Sequence, residues 1–244
     1  MDNSVLRDDM VDGLEHSLES LPEAVSIAMR SVPRHEFVTD SPYQNRPTEH
    51  RDTNTTILAP TTVARLLSAL DPQPDDEVLV VGAGVGYTAA VLAEIVGDAH
   101  VHAVDITRSL VYEARENLQR AGYGGVLVDC RDGAEGLADY APFDRILVEA
   151  SAVRPPARLL AQLADGGRLV MPKGVGEQTL VAVEDGEVAE SFGPLSFKPL
   201  LVDGEQTGSI VRNRTRREDP EYEGRGWHAG HGWEQDWIDW GGRG

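Results

Sequence analysis

Glycines recur at alternate positions in the stretch "VVGAGVGY", where Gly82, Gly84 and Gly86 follow an apolar run and precede a helical pattern. Glycine lets the chain turn sharply and lets a ligand approach the backbone, and a helix amino terminus offers free N–H groups. Together with Ala83 between them, these glycines suit a nucleoside that carries a charged appendage. The spacing G-x-G-x-G departs from the dinucleotide fingerprint, because Tyr87 stands where its third glycine belongs. A purely structural turn is the alternative.

Polar residues also follow the next two predicted strands. Asp105 comes about 20 residues after the glycines, where a carboxylate can accept hydrogen bonds from ribose hydroxyls. Asp132 and Gly133 follow the third strand, where a side-chain acceptor and a backbone N–H can meet an adenine edge. Local roles are the alternatives, since Asp105 could cap the following helix and Asp-Gly could be only a turn. Three such strand ends in one sheet favour a nucleoside site.

The elements that position these groups alternate between strand and helix. Strands separated by segments of helix length predict an α/β fold with an open, mostly parallel sheet. The run "TLVAVEDGEVAESFG" alternates around Asp185-Gly186, a hairpin signal that predicts antiparallel terminal strands. Upstream, apolar spacing predicts two short amphipathic helices between Arg7 and Arg30 and a helix that begins at Pro60. The predicted strands are 77–81, 100–104, 126–128, 143–148 and 168–171, and the predicted helices of the alternating region are 87–96, 109–121 and 156–163.

Composition restricts the partners. The 244 residues include 41 acidic and 22 basic ones, which gives a net charge of −19, and only two of the basic residues are lysines. Nucleic acid and anionic membranes are therefore excluded as expected partners, since binding a polyanion relies on clustered positive charge. The acidic surface is either solubilising or adapted to high internal salt, where screening suppresses self-repulsion.

The expected location is the cytoplasm. A single cysteine, Cys130, cannot form an internal disulfide, and no signal-peptide pattern or apolar run of membrane-spanning length is present. No metal site is predicted either, because His228 and His231 have neither a helical framework nor a cysteine partner.

Six segments resemble the S-adenosylmethionine-dependent methyltransferases of Rossmann-like fold, and within them the protein-L-isoaspartate O-methyltransferase family. They keep the family's order and spacing over residues 5–203. The segments are "VPRHEFV" (32–38), "GAGVGYTAAVLAEIVG" (82–97), "ARENLQRAGY" (114–123), "DRILVEASA" (144–152), "LLAQLADGGRLVMPKG" (159–174) and "FGPLSFKPL" (192–200).

The resemblance implies S-adenosyl-L-methionine as the cofactor. The stretch from Gly82 to Gly86, with Ala83 and Gly84, would cradle its methionine end, Asp105 would hold the ribose, and Asp132 with Gly133 would meet the adenine. The family usually has glutamate at position 105. Its members methylate the side-chain carboxylate of L-isoaspartyl residues in damaged proteins, so the resemblance implies a protein or peptide substrate. A carboxylate is already the nucleophile at neutral pH, so proximity, orientation and exclusion of water supply most of the catalysis.

The substrate-side loop, residues 52–60 with the sequence "DTNTTILAP", departs from the family pattern G-x-G-Q-T-I-S-x-P. Leu58 stands at the position of the family's catalytic serine, and a missing donor to a charged group removes about 1.5 to 3 kcal/mol. The hydroxyls of Thr55 and Thr56 are the candidate catalytic replacements, and backbone N–H groups are the alternative.

Glu149 is the second departure, because the family has a small or hydroxyl residue after the fourth strand. A carboxylate there repels a substrate carboxylate, so either Glu149 points away or the acceptor is not an anion. The alternative is a surface or capping residue.

These observations divide the chain into helices with the substrate-side loop (1–75), a cofactor-binding core (76–211) and a Trp- and Gly-rich tail (212–244) that could mediate self-association. Three functions stay open: isoaspartyl O-methyltransferase, methyltransferase with another acceptor, and donor-binding protein without turnover.

Overall fold

A computed structural model describes residues 2–53, 55–174 and 176–201 of the protein. Residues 1–201 form one compact unit. The predicted tail at 212–244, its tryptophans and the histidine pair at 228 and 231 lie outside the described residues. No helix within the described ranges has the length and the apolar character that crossing a bilayer requires.

The sheet has seven strands in the order β5-β4-β3-β6-β7-β8-β9. From β5 to β7 neighbouring strands are parallel, whereas β7-β8 and β8-β9 are antiparallel. This confirms the predicted α/β class with antiparallel terminal strands. The strands are β3 (Val78–Val81), β4 (Val101–Asp105), β5 (Leu127–Cys130), β6 (Phe143–Val148), β7 (Leu163–Lys173), β8 (Gln178–Glu184) and β9 (Glu187–Leu195), and a separate hairpin pairs β1 (Thr48–Glu49) with β2 (Thr56–Ile57).

Residues with particular backbone preferences account for where two of the α-helices begin or end. Pro60 occupies the first turn of α3, where its missing N–H costs no hydrogen bond. Gly122 ends α5 in the left-handed conformation with φ of +93°, which glycine adopts without a Cβ clash. The helices are α1 (Asn3–Ser17), α2 (Glu23–Ser31), α3 (Pro60–Leu70), α4 (Tyr87–Val96), α5 (Arg108–Ala121) and α6 (Ala157–Leu160).

The region after β6 differs from the sequence prediction. A helix was expected over 156–163 and a turn at Gly166-Gly167, but α6 has four residues and β7 runs through both glycines. The pairing of β6 with β7 shifts register between Phe143 and Arg145. The extra residues are thus absorbed as an irregularity of the strand rather than as a separate turn.

The sheet is covered on both faces, which explains the continuous apolar run of β3. Val78 and Val80 belong to one hydrophobic cluster with the helices α1 to α5, whereas Leu79 and Val81 belong to a second cluster with Phe143 and other residues. Successive side chains of a strand point to opposite faces, so a strand buried on both sides is apolar throughout. The N-terminal helices and the sheet share the first hydrophobic cluster. The boundary predicted between residues 75 and 76 therefore separates segments with different predicted roles and does not separate two hydrophobic cores.

Candidate active site

A cavity of about 370 Å³ lies at the carboxyl ends of the central strands. Register places Val81 beside both Val104 and Val148, so these strand ends meet at one edge of the sheet. The volume lies within the range of about 300 to 1,000 Å³ that small-molecule sites occupy. The described lining residues are Thr55, Thr56, Leu58, Val81, Gly82, Gly84, Val104, Asp105, Ile106, Thr107, Gly133, Glu149, Ala150 and residues 196–201.

The glycine loop, residues 82–86, forms the base of this cavity through two of its glycines. Gly82 and Gly84 line it with φ of +95° and +51°, in the region that favours glycine. The N–H groups of Gly82 and Ala83 donate to the Val104 carbonyl at 2.8 and 3.0 Å. A Cβ added at Gly84 would meet no atom within 4 Å, so glycine here serves the backbone conformation and leaves space free.

Asp105 both holds the loop and faces the cavity. Its Oδ2 accepts the Gly84 N–H at 3.0 Å and its Oδ1 accepts the Thr107 N–H at 2.8 Å. The contact with Thr107 is local, but Asp105 is not the cap of α5, whose N-cap is Thr107 without a side-chain cap hydrogen bond. The ribose role stays a prediction. Burial raises the pKa of Asp105 above its ordinary value, and the hydrogen bonds from Thr107 and Gly84 act in the opposite direction.

Two residues of the glycine loop that belong to the predicted cofactor set, Ala83 and Gly86, do not line the cavity of the described structure. Ala83 is buried beneath the loop. Gly86, with φ of +93°, lies against α5, where an added Cβ would come within 3.3 Å of Leu118 and 3.4 Å of Ala114. These residues shape the loop, and direct contact with a cofactor stays a prediction for them.

The Asp132-Gly133 pair is divided between two roles. The Asp132 carboxylate accepts the Ala134 N–H at 2.8 Å, a local turn, and the residue does not line the described cavity. Gly133 does line it, and an added Cβ would come within 2.5 Å of Val81 Cγ1. A larger residue at this point would have to displace the Val81 side chain. The adenine role stays a prediction, with Gly133 the better placed of the two.

The substrate-side loop contributes Thr55, Thr56 and Leu58 to the lining of the cavity. The sequence predicted that this loop lies at the site. The Thr56 hydroxyl donates to Glu49 Oε1 at 3.0 Å across the β1–β2 hairpin. Its only proton is thus engaged, because a hydroxyl has one O–H to donate. Thr55 is the better candidate for a donor to a bound acceptor.

Arg34 fixes this loop and was not singled out from the sequence. The residue is 1% exposed, and its Nη2 donates to the Leu58 carbonyl at 2.6 Å while its Nε donates to the Pro42 carbonyl at 2.8 Å. The guanidinium lies 4.3 Å from the ring centre of Tyr87, the first residue of α4. Arg34 therefore connects the substrate-side loop to the helix that follows the glycine loop.

Glu149 is one of the described residues that line the cavity. Its Oε1 is buried, with no hydrogen-bond partner among the described residues. Burial raises the pKa of Glu149 to about 7, the negative charge of Asp105 acts in the same direction, and the Thr88 hydroxyl lowers it. The buried Oε1 argues against the surface alternative, the capping role stays an alternative, and a pKa near neutrality makes the carboxyl partly protonated at neutral pH.

Comparison with known proteins identifies the family. The model of the protein-L-isoaspartate(D-aspartate) O-methyltransferase family matches residues 6–193. The chain belongs to this family. Relatives similar to this chain include the protein-L-isoaspartate O-methyltransferases of Aeropyrum pernix (44% identical, covering 79% of this chain and 78% of the relative), Methanocella arvoryzae (43%, covering 71% and 96%) and Roseiflexus sp. (46%, covering 71% and 82%).

Solved structures show the same methyltransferase fold. One protein-L-isoaspartate O-methyltransferase has a TM-score of 0.70 at 24% identity, covering 79% of this chain and 65% of that one. Another, described as a putative family member from Plasmodium falciparum in complex with S-adenosyl-L-homocysteine, has a TM-score of 0.69 at 22% identity, covering 80% and 98%.

The wall segment, residues 196–201, is the part of this family member's cavity that local sequence reasoning missed. Phe197 is held by the buried Gln178, whose Oε1 accepts its N–H at 2.7 Å and whose Nε2 donates to its carbonyl at 2.9 Å. Ser151 donates its N–H to the Lys198 carbonyl at 2.9 Å and accepts the Leu200 N–H at 2.8 Å. The resemblance of "FGPLSFKPL" to the family was the available signal, and nothing local indicated these partners.

Proposed function

We propose that this protein transfers a methyl group from S-adenosyl-L-methionine to the side-chain carboxylate of L-isoaspartyl residues in proteins. The observation that carries the proposal is one cavity, in a member of this family, lined by both the glycine loop and the substrate-side loop. The residues present fit such a donor, since two positive-φ glycines leave the backbone open and Asp105 faces the cavity at the end of β4. When bound, the donor supplies an electrophilic methyl group on a positively charged sulfur.

The residues of the chain then have distinct tasks. Gly82, Gly84, Asp105 and Gly133 bind the donor, with Ala83, Gly86 and Asp132 supporting the loops around it. Thr55 donates a hydrogen bond to the acceptor carboxylate, in place of the hydroxyl that Leu58 lacks. No general base is required, because the acceptor is ionised at neutral pH. Orientation and exclusion of water supply most of the rate increase.

The test uses labelled S-adenosyl-L-methionine with an L-isoaspartyl peptide and its aspartyl twin, at low and at molar salt. Base-labile label on the isoaspartyl peptide alone is the expected result, because a methyl ester is hydrolysed by base. Equal labelling of both peptides, or none in a protein that binds the donor, contradicts the proposal.

A second candidate, a methyltransferase with an amine acceptor, is favoured by one observation. Glu149 places a carboxyl in the cavity, and its ionised form attracts a cation and repels an anion. Base-stable label on lysine-containing peptides would support this alternative in the same assay.

We also propose a cytoplasmic, high-salt setting. The support is the single cysteine and the net charge of −19 with only two lysines. Self-association through the tail at 212–244 stays a prediction, which sedimentation of the full chain and of a chain ending at residue 201 would test.

A further inference from the structure

The cavity carries an excess of negative charge. Among the described residues that line it, Asp105 and Glu149 are acidic and Lys198 is basic. The Lys198 ammonium lies 3.6 Å from the Glu49 carboxylate, so its charge is already shared with another acid. A cavity with this balance is complementary to a cation.

Among the groups of the cavity, Glu149 is the one that a bound cation would stabilise most. Its Oε1 is buried without a hydrogen-bond partner in the described part of the chain, and an unsatisfied buried acceptor costs about 1 to 3 kcal/mol. Asp105, the nearest charge on β4, is also negative, and the contact from α4 is the uncharged Thr88 hydroxyl. No described neighbour therefore neutralises an ionised Glu149.

The position of Glu149 connects it to the glycine loop. A Cβ added at Gly82 would lie 3.4 Å from Glu149 Cβ and 3.6 Å from its carbonyl oxygen. A ligand that approaches the backbone at Gly82 therefore comes close to the base of this side chain. In the proposed function, this is the part of the cavity that takes the charged end of the donor.

We propose that Glu149 is the counter-ion for the positively charged end of S-adenosyl-L-methionine, and that donor binding displaces a proton from this carboxyl. The inference rests on the proposed function for the identity of the donor. It concerns one of the two positions at which the sequence departs from the pattern of the family that it resembles.

The size of the proton release follows from the titration of the free protein. With the pKa of Glu149 at about 7, the carboxyl is about nine-tenths protonated at pH 6 and about one-tenth protonated at pH 8. A cation favours the ionised form and lowers this pKa on binding. Binding therefore releases more of a proton at pH 6 than at pH 8, at most about 0.9 and about 0.1 proton when the bound carboxyl is fully ionised. The donor Kd is correspondingly about tenfold weaker at pH 6 than at pH 8.

The experiment is titration calorimetry of the full chain with S-adenosyl-L-methionine at pH 6, 7 and 8, in buffer pairs that differ in ionisation enthalpy. Glu149→Gln removes the titrating group and keeps the shape. Glu116→Gln, an exposed carboxylate on α5 outside the cavity, is the matched control. Protons that belong to the ligand cancel between wild type and Glu116→Gln, and at pH 6 they make little contribution in any of the proteins, because an α-amino group is already protonated there. S-adenosyl-L-homocysteine, which keeps the ammonium and lacks the sulfonium charge, identifies which cation Glu149 faces.

The expected result is pH-dependent proton release in the wild type and in Glu116→Gln, absent from Glu149→Gln, together with weaker donor binding by Glu149→Gln at pH 8. Equal proton release in wild type and Glu149→Gln, or equal Kd at pH 8, overturns the role of Glu149 alone. Absence of donor binding in the wild type contradicts the proposed function instead. If Glu149→Gln does not fold, the wild type at pH 6 decides the question, because the ligand ammonium is already protonated there; no proton release at pH 6 overturns the proposal.

Discussion

Arg34 gives the sharpest mutational prediction, because one buried guanidinium contacts both the substrate-side loop and Tyr87, the residue that follows the glycine loop. We expect Arg34→Met to loosen the substrate-side loop while leaving the glycine loop in place. The substitution leaves the carbonyls of Pro42 and Leu58 without their donors and removes the cation from the Tyr87 ring. The main-chain hydrogen bonds of Gly82 and Gly84 are untouched.

The expected change in the free energy of unfolding combines the loss of these contacts with a smaller gain from relieved desolvation. Two hydrogen bonds from a charged donor contribute about 1.5 to 3 kcal/mol each, and a cation–π contact about 1 kcal/mol. Removing a buried guanidinium also relieves its desolvation, which offsets part of this loss. We expect the free energy of unfolding to fall by about 3 kcal/mol, close to the cost of breaking other buried ionic contacts.

The assay compares stability, donor affinity and turnover. We expect kcat/KM for the isoaspartyl peptide to fall at least about tenfold, since small misplacements of a positioning loop cost this much or more. The Kd for S-adenosyl-L-homocysteine should change less than about threefold, because the donor contacts lie on the glycine loop.

Arg168→Met is the matched control. The Arg168 guanidinium donates to the Ala69 carbonyl at 2.8 Å and to the Glu184 carboxylate at 2.6 Å, and its register partner Arg145 lies near the amino end of β6. This variant should also lose stability but keep kcat/KM per folded molecule. The reasoning is refuted if both variants lose kcat/KM equally, or if Arg34→Met weakens donor binding as much as it slows transfer.

Three further predictions concern single features. Leu58→Ser should raise kcat/KM for the isoaspartyl peptide about tenfold, which corresponds to about 1.5 kcal/mol for a new hydrogen bond to a charged group. An unchanged rate of labelled transfer would show that position 58 does not contribute to acceptor binding. Gly133→Ala should weaken donor binding measured by calorimetry, since its Cβ would lie 2.5 Å from Val81 Cγ1, whereas Gly13→Ala, with no atom within 4 Å, should bind normally. The free energy of unfolding from urea titrations should rise between dilute buffer and molar KCl, since screening relieves the repulsion of a net charge of −19, and equal stability in both would contradict adaptation to salt.

Local patterns in the sequence were sufficient for the elements that carry the cofactor side. The apolar run of β3, the glycines after it and Asp105 at the end of β4 each have a local signal, and the order of strands and helices brings them together. The site residues assigned from them stay predictions of contact with a ligand. What the structure adds is which of them face the cavity.

Contacts between distant segments had no such signal. Arg34 reaches the Leu58 carbonyl across 24 residues, and Gln178 fixes Phe197 across 19 residues. Neither pairing follows from periodicity or spacing, because each depends on how separate loops pack at the edge of the sheet. The raised pKa of Glu149 is likewise a property of burial and of Asp105, so the sequence suggested repulsion of an anion but not partial protonation.

The acidic lining also has a consequence for kinetic order. An acceptor carboxylate that entered first would meet two acidic residues, Asp105 and Glu149, against one basic residue of the described lining, Lys198, so we expect compulsory-order kinetics with the donor binding first. Methyl transfer then converts a sulfonium and a carboxylate into a neutral thioether and a neutral ester. Where the sulfonium is the cation that Glu149 faces, the carboxyl loses its counter-charge at that moment and its pKa rises again, which weakens the binding of the spent donor. Product release and chemistry are thereby coupled through one carboxyl group.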